Sequence, residues 1–155
     1  MNTFTKLLQN SSKEEILSIL DKKLKNSDEP DFWKEKVVPY TNAILSVLFP
    51  LKQQNLLFNP EGKKVDKLDS ELFFRWADLV CLRTLAFIIE QSNEKKQLLR
   101  TEYENVTYET IDLEELGSYL ASNRINLIDE DNLDFPMATY NFHTAIITII
   151  KKLLN

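Results

Sequence analysis

The side chains best suited to chemistry are one histidine, one cysteine and many carboxylates. A zinc site is built from about four histidine, cysteine or carboxylate ligands, and a thiol nucleophile needs a base beside it. His143 and Cys81 are the only residues of their types among 155. These are too few to predict a zinc site or a cysteine–histidine pair. We therefore expect no catalytic residue, no metal and no cofactor.

Both residues lie in apolar surroundings along the chain. Cys81 follows Leu79 and Val80, which is typical of a small core residue in a reducing compartment. His143 falls beside Tyr140 and Ile147 on a helical pattern. We expect a core histidine that is either hydrogen-bonded or half exposed.

Paired carboxylates could act as general acid and base, so a small helical enzyme is one alternative. Glu90 and Glu94 are four residues apart, but no nucleophile accompanies them, which favours a solvated helix surface. The aspartates at 129, 131 and 134 lack the glycine and the terminal glutamate of a calcium loop. Lys63 and Lys64 follow Gly62 without the spacing of a phosphate loop.

Negative charge is concentrated between residues 102 and 134. This segment holds ten acidic residues and one basic residue, a net charge of −9 in a chain whose total is −5. An acidic surface attracts basic protein segments and repels nucleic acid over about 8–10 Å at physiological salt. Tyrosines such as Tyr103 and Tyr119 can add contact area. The partner-binding residues that we predict are Glu102, Glu104, Tyr108, Glu109, Glu114, Glu115, Asp129, Glu130 and Asp131.

The composition indicates what kind of fold must position these residues. Hydrophobic residues make up 43% of the chain and charged residues 28%, as in an ordinary globular domain with one core. Only two glycines are present, so the tight turns of most β-rich folds are scarce. We predict a single all-α domain, a compact bundle of five to seven helices.

No run approaches the roughly 18 apolar residues of a membrane span, so we expect a soluble cytoplasmic domain without direct membrane contact.

Periodicity places two helices in the first half of the chain. Apolar residues recur every three or four positions from Trp33 to Leu51, which predicts one buried helical face within residues 31–58. Pro39 should either begin this helix or kink it. Ser12 followed by Glu15 predicts a capped helix from about residue 13. Residues 2–10 are expected to form a short lead-in that packs on the core.

Three further helices are predicted at about residues 71–91, 112–122 and 134–154. The first is apolar over most of its circumference, which is typical of a central helix. We expect Arg75 to pair with Asp78 on its polar side, and Arg83 to form an ion pair or to snorkel at the core edge. Residues 100–111 show no clear helical period. Residues 126–134 are expected to form an acidic connector.

The order of several short motifs resembles a known family. The motifs are Asn2-Thr3-Phe4, Ser11-Ser12-Lys13-Glu14-Glu15-Ile16, Asp31-Phe32-Trp33-Lys34-Glu35-Lys36, Leu116-Gly117-Ser118-Tyr119-Leu120 and Tyr140-Asn141-Phe142-His143-Thr144. In this order they are similar to the all-α domain inserted in the coupling ATPases of type IV secretion and conjugation systems, of the TraD, TraG and DotL kind. The Phe-Trp pair followed by charged residues and an aliphatic helix carries most of the resemblance.

The resemblance implies a recruitment role. Such a domain would lie at the cytoplasmic mouth of a hexameric motor that is anchored in the bacterial inner membrane. It would dock secreted protein substrates, relaxosome proteins or small adaptors. The ATPase motifs of the family lie outside the inserted domain, so the resemblance implies no catalysis here, and the isolated domain can be a monomer.

A second interpretation remains open from the sequence. The chain could be a free-standing helical adaptor, chaperone or immunity-type interaction protein. A reading frame for an ATPase that continues from both ends would favour the inserted domain. The acidic segment serves protein recognition under either interpretation.

Overall fold

The computed structural model describes residues 2–125 and 135–155, and all regular secondary structure in these ranges is helical. The prediction of an all-α bundle is therefore confirmed. Residues 58 and 64 form an isolated antiparallel bridge within the loop between two of the helices. The helices are α1 (Thr3–Asn10), α2 (Lys13–Lys25), α3 (Asp31–Gln53), α4 (Ser70–Ala77), α5 (Leu79–Lys95), α6 (Glu114–Ser122) and α7 (Met137–Leu154).

The central element is α3, which packs against α2, α4, α6 and α7. Its sequence predicts one apolar face, but its buried residues surround most of the helix from Val37 onward. They include Ile44, Leu45, Val47 and Leu48, each without exposed area. The sequence suggested a central place for the helix within residues 71–91 instead. The longer α3 takes that place because four helices contact it.

Two prolines lie inside α3 rather than at its ends. The helix begins at Asp31, so of the two alternatives predicted for Pro39, a helix start and a kink, the helix start is wrong. Pro39 cannot donate a hydrogen bond to the carbonyl of Glu35, but both residues are exposed. Water can satisfy that carbonyl, which makes the interior proline tolerable.

The lead-in predicted for residues 2–10 is a helix, α1. Asn2 caps it, because the Asn2 side-chain oxygen accepts a hydrogen bond from the Thr5 amide at 2.8 Å. Phe4 and Leu8 are fully buried, and burying side chains of this size contributes about 1.5–3 kcal/mol each. Packing of this kind stabilises a helix that is too short to form alone.

The single helix predicted at residues 71–91 is two helices, α4 and α5. The chain turns at Asp78, whose ψ of 128° is not helical, and the Asp78 carboxylate caps α5 through the Cys81 amide. Asp78 does not pair with Arg75. The guanidinium of Arg75 instead forms an ion pair with Glu61. The apolar pattern continues across the break because both helices bury residues in the same core.

The other boundaries follow the sequence closely. The predicted helix at residue 13 begins there, with the reciprocal hydrogen bonds between Ser12 and Glu15. Helix α6 ends at Ser122, and the Asn123 side chain donates to the Tyr119 carbonyl at 2.8 Å. The last helix is an exception: it was predicted from residues 134–136 with Pro136 in its first turn, but α7 begins at Met137, and the ψ of 150° at Pro136 is not helical. Among the described residues, no helix combines the length and the hydropathy that crossing a bilayer requires.

Candidate functional site

The acidic residues predicted to bind a partner are exposed wherever the structure describes them. Glu102, Glu104 and Glu109 lie on the segment between α5 and α6, and Glu114 and Glu115 lie on the first turn of α6. Asp112, which was not among the predicted residues, is exposed on the same segment. Asp129, Glu130 and Asp131, together with the acidic connector predicted for residues 126–134, lie outside the described residues. The candidate site therefore rests on six carboxylates, which we call the acidic surface.

Backbone contacts hold the middle of this segment against α3. The side chain of Gln54 donates to the Glu109 carbonyl and accepts from the Glu109 amide, both at 2.9 Å. This leaves the Glu109 carboxylate in solvent. At the start of the segment, Glu102 lies against another loop, with its amide donating to the Gly62 carbonyl at 2.8 Å and its carboxylate accepting from the Lys64 amide at 3.2 Å.

Asn93 fixes the end of the segment nearest α6. Its side-chain oxygen accepts hydrogen bonds from the Tyr108 hydroxyl at 2.6 Å and the Ile111 amide at 3.0 Å. Its side-chain nitrogen donates to the Ile111 carbonyl at 2.7 Å. One residue near the end of α5 thus anchors the backbone that carries the acidic surface into α6.

The tyrosines are positioned less favourably for contact than we predicted. Tyr108 is 8% exposed, and burial raises the pKa of its hydroxyl to about 12. Tyr103 and Tyr119 are half buried, with hydroxyls that contact the Leu57 carbonyl and His143. Their rings stabilise the segment and α6. The exposed feature of the acidic surface is therefore its carboxylates.

A surface groove of about 420 Å³ lies next to the acidic surface, between the start of α2, the second half of α3 and the start of α6. Its floor belongs to α3 and combines the side chains of Leu45, Ser46, Phe49 and Pro50. The first wall is the N-terminal turn of α2 with the two residues before it: Ser11, Ser12, Lys13 and Glu14. The second is formed by Lys52, Gln53, Asp112 and Glu115.

One of the positive charges beside the groove, that of Lys52, is engaged by other parts of the chain. The ammonium group of Lys52 donates to the carbonyls of Leu8 and Gln9 at 2.8 and 3.2 Å, and it lies 5.2 Å from the ring centre of Phe49. Desolvation lowers the pKa of Lys52. This lysine therefore caps the C-terminal end of α1.

The acidic residues of the groove remain at its rim. Asp112 and Glu115 are exposed, although the Asp112 carboxylate also accepts from the Glu114 amide at 2.8 Å. Glu115 accepts a hydrogen bond from Asn42 of α3. This contact fixes the Glu115 side chain beside the apolar floor, and the groove joins the acidic surface to an apolar patch.

The single histidine, His143, is a buried side chain with hydrogen-bond partners at both ring nitrogens. It is 0% exposed, its Nδ1 lies 2.7 Å from the Thr139 carbonyl, and its Nε2 lies 2.8 Å from the Tyr119 hydroxyl. A neutral ring that donates from Nδ1 and accepts at Nε2 satisfies both contacts. Burial lowers the pKa of His143. The prediction of a satisfied core histidine is confirmed.

Cys81 lies in the first turn of α5, beside the carboxylate of Asp78. Burial and the neighbouring carboxylate of Asp78 raise the pKa of the Cys81 thiol to about 11, which keeps it protonated at neutral pH. The other oxygen of Asp78 accepts from the Tyr140 hydroxyl at 2.6 Å. These contacts tie α7 to the start of α5. They are the features of a structural cysteine and a structural carboxylate.

Arg83 lies deeper than the sequence predicts. We expected it at the edge of the core, but only 1% of the residue is exposed. It does have interaction partners, so it is a satisfied buried cation. Among the described residues, no group of three or more histidine, cysteine or acidic side chains is placed to hold a metal ion.

The motif that carries most of the family resemblance lies at the other end of α3. Phe32 is 55% exposed, and its ring packs edge-on against Trp33 and Phe142 at centroid distances of 5.1 and 6.1 Å. The structure separates this aromatic cluster from the groove along the length of α3. Pro50 inside an apolar helix was the sequence signal that could have indicated the groove floor.

Comparisons of the chain with protein-family models, with curated proteins and with solved structures find no match. The likeness to coupling ATPases therefore stays a prediction from the sequence motifs.

Proposed function

We propose that this chain is a non-catalytic, helical recruitment domain of a type IV secretion coupling protein. It docks secreted substrates, relaxosome proteins or small adaptors at the cytoplasmic face through basic segments of those partners. The observation that carries the proposal is the acidic surface, where six exposed carboxylates project from one segment and from the helix that follows it.

Electrostatics gives this surface a physical role in recruitment. Carboxylates concentrated on one segment steer basic chains toward it and raise the rate of encounter, an effect that salt screens. Negative charge also disfavours contact with nucleic acid through this face. The domain is thus suited to recognising the protein component of a substrate.

The positions of the two chain ends are compatible with an inserted domain. The Asn2 side-chain nitrogen donates to the side-chain oxygen of Asn155 at 2.9 Å, and also to the Ser70 hydroxyl at 2.9 Å. A domain inserted in a host needs ends that lie side by side, although this is common in domains generally. A free-standing adaptor, chaperone or immunity-type protein is the second candidate, because the acidic surface would serve it equally.

Affinity capture tests the proposal. The immobilised chain would be exposed to lysate of its source cell at low and at moderate salt, and retained proteins identified by mass spectrometry. We expect secretion substrates or small adaptors, with recovery that falls as salt rises. Recovery of one unrelated stoichiometric partner at both salt concentrations would favour the free-standing interaction protein and contradict the proposal.

A further inference from the structure

The groove beside the acidic surface has the features of a docking site for one particular kind of partner. Its floor is apolar, with Phe49 and Pro50 of α3, and its rim carries the carboxylates of Asp112 and Glu115. A volume of about 420 Å³ gives room for a few side chains but not for a folded domain. Among protein partners, the occupant that fits this space is therefore a chain segment.

Pro50 adds a hydrogen-bond acceptor to the floor. A proline has no amide hydrogen, so Pro50 cannot supply the helical hydrogen bond that the Ser46 carbonyl would otherwise accept. Both Ser46 and Pro50 line the groove. The Ser46 hydroxyl donates to the Ala43 carbonyl at 2.6 Å, so its own oxygen is also free to accept. The floor of the groove therefore offers acceptors to a donor group of an occupant.

Charge complementarity then selects the occupant. Three acidic and two basic residues line the groove: Lys52 is committed to the end of α1 and Lys13 is half buried, whereas the carboxylates of Glu14, Asp112 and Glu115 lie at exposed positions. An arginine or lysine supplies several donors and a positive charge, and its apolar neighbour can bury area on the floor. A peptide of acidic residues would meet both repulsion and unpaired acceptors.

We propose that the groove docks an extended basic peptide segment of a partner protein. An arginine or lysine of the segment lies between Asp112 and Glu115, and an adjacent apolar side chain packs on Phe49 and Pro50. This inference deepens the proposed function and rests on it, since it names the part of the recruited protein that is bound and the place where it binds.

The test uses a synthetic hexapeptide of alternating leucine and arginine, titrated into the isotopically labelled chain and followed by amide chemical shifts. Two matched peptides replace arginine by glutamate or leucine by glycine. We expect shifts at the groove amides with the first peptide only. Replacing Asp112→Asn together with Glu115→Gln should weaken binding about five-fold, whereas Glu35→Gln with Glu71→Gln should change it less than about two-fold.

A variant that fills the groove distinguishes peptide binding in the groove from electrostatic attraction by the acidic surface as a whole. Ser46→Phe fills the floor without changing the charge, and Gln53→Trp fills it from an exposed position if the first variant fails to fold. Either change should abolish the shifts at the groove. Undiminished peptide binding in a folded, filled variant would overturn the inference while leaving recruitment by the acidic surface intact. Peptide binding in the groove without capture of secretion proteins would instead contradict the proposed function alone.

Discussion

At the scale of single residues, the structure shows how each of the two glycines affects stability, which the sequence alone does not show. Gly62 has a φ of +80°, and a β-carbon there would lie 2.6 Å from the Arg100 carbonyl oxygen. The close approach to backbone requires glycine, and the left-handed conformation favours it. The second glycine, Gly117, lies inside α6, and a β-carbon there would meet open space beyond its chain neighbours and the helix's own backbone.

These two glycines make a matched pair for mutation. Gly62→Ala should lower the free energy of unfolding by roughly 1–3 kcal/mol, because alanine there is strained and crowded. Gly117→Ala should raise it by about 0.5–1 kcal/mol, because alanine favours an open helical position. Urea denaturation of both variants measures the difference. Equal effects of the same sign would contradict the geometry.

His143 should make stability depend on pH. Its pKa is lowered in the folded chain by burial, so the unfolded chain binds the proton more readily. Stability is then full above the unfolded pKa of about 6.5 and is lost as pH falls below it, by at most about 1.4 kcal/mol per pH unit. The titratable side chains of Tyr40 and Tyr119 contact the ring.

The measurement is the difference in unfolding free energy between the native chain and His143→Gln, from pH 7.5 to 5. Carboxylates titrate in both proteins and largely cancel in the difference. The native chain should lose stability faster than the variant as pH falls. Parallel curves would show that the histidine is not held neutral.

At the scale of secondary structure, the acidic surface depends on one side chain near the end of α5. Asn93 makes three hydrogen bonds to Tyr108 and Ile111, two residues of the segment that leads into α6. The sequence offered no signal for this role, since residues 100–111 have no helical period. Asn93 is also separated along the chain by 15 residues from Tyr108 and by 18 from Ile111. Such pairing becomes visible only when α5 and the segment are packed together.

Asn93→Ala should therefore cost roughly 2–4 kcal/mol and loosen residues 108–111. Amide hydrogen exchange should rise at Ile111, whose amide donates to Asn93. The exposed Asn141 of α7 provides the control, because alanine there removes no such anchor. Unchanged exchange at Ile111 in a folded Asn93→Ala chain would show that the segment is held by other contacts.

Local patterns predicted the helices well and their interruptions poorly. The capping pair at Ser12 and Glu15 and the stop at Asn123 are local, so the sequence alone placed them. The break at Asp78 was missed because the apolar residues on both sides face the same core. The proline-lined groove was missed for a related reason, since an empty surface beside a helix depends on how its neighbours pack.

At the scale of the whole molecule, the central helix separates two surface features. Phe32, at the start of α3, is one of two large hydrophobic residues that are exposed among the described residues. The groove and the contacts of the acidic surface with α3 lie along its second half, from Asn42 to Gln54. Among the described residues, the acidic groups of this surface are exposed. The tyrosines predicted beside them serve packing.

The most direct test of the central claim is the amount of source-cell protein captured by two charge-reversed chains. Glu109→Lys with Glu114→Lys alters the acidic surface, and Glu35→Lys with Glu71→Lys makes the same change of net charge at exposed positions elsewhere. We predict that the first pair loses most of the salt-sensitive capture and that the second retains it. Equal capture by the two variants at low salt would contradict recruitment through the acidic surface.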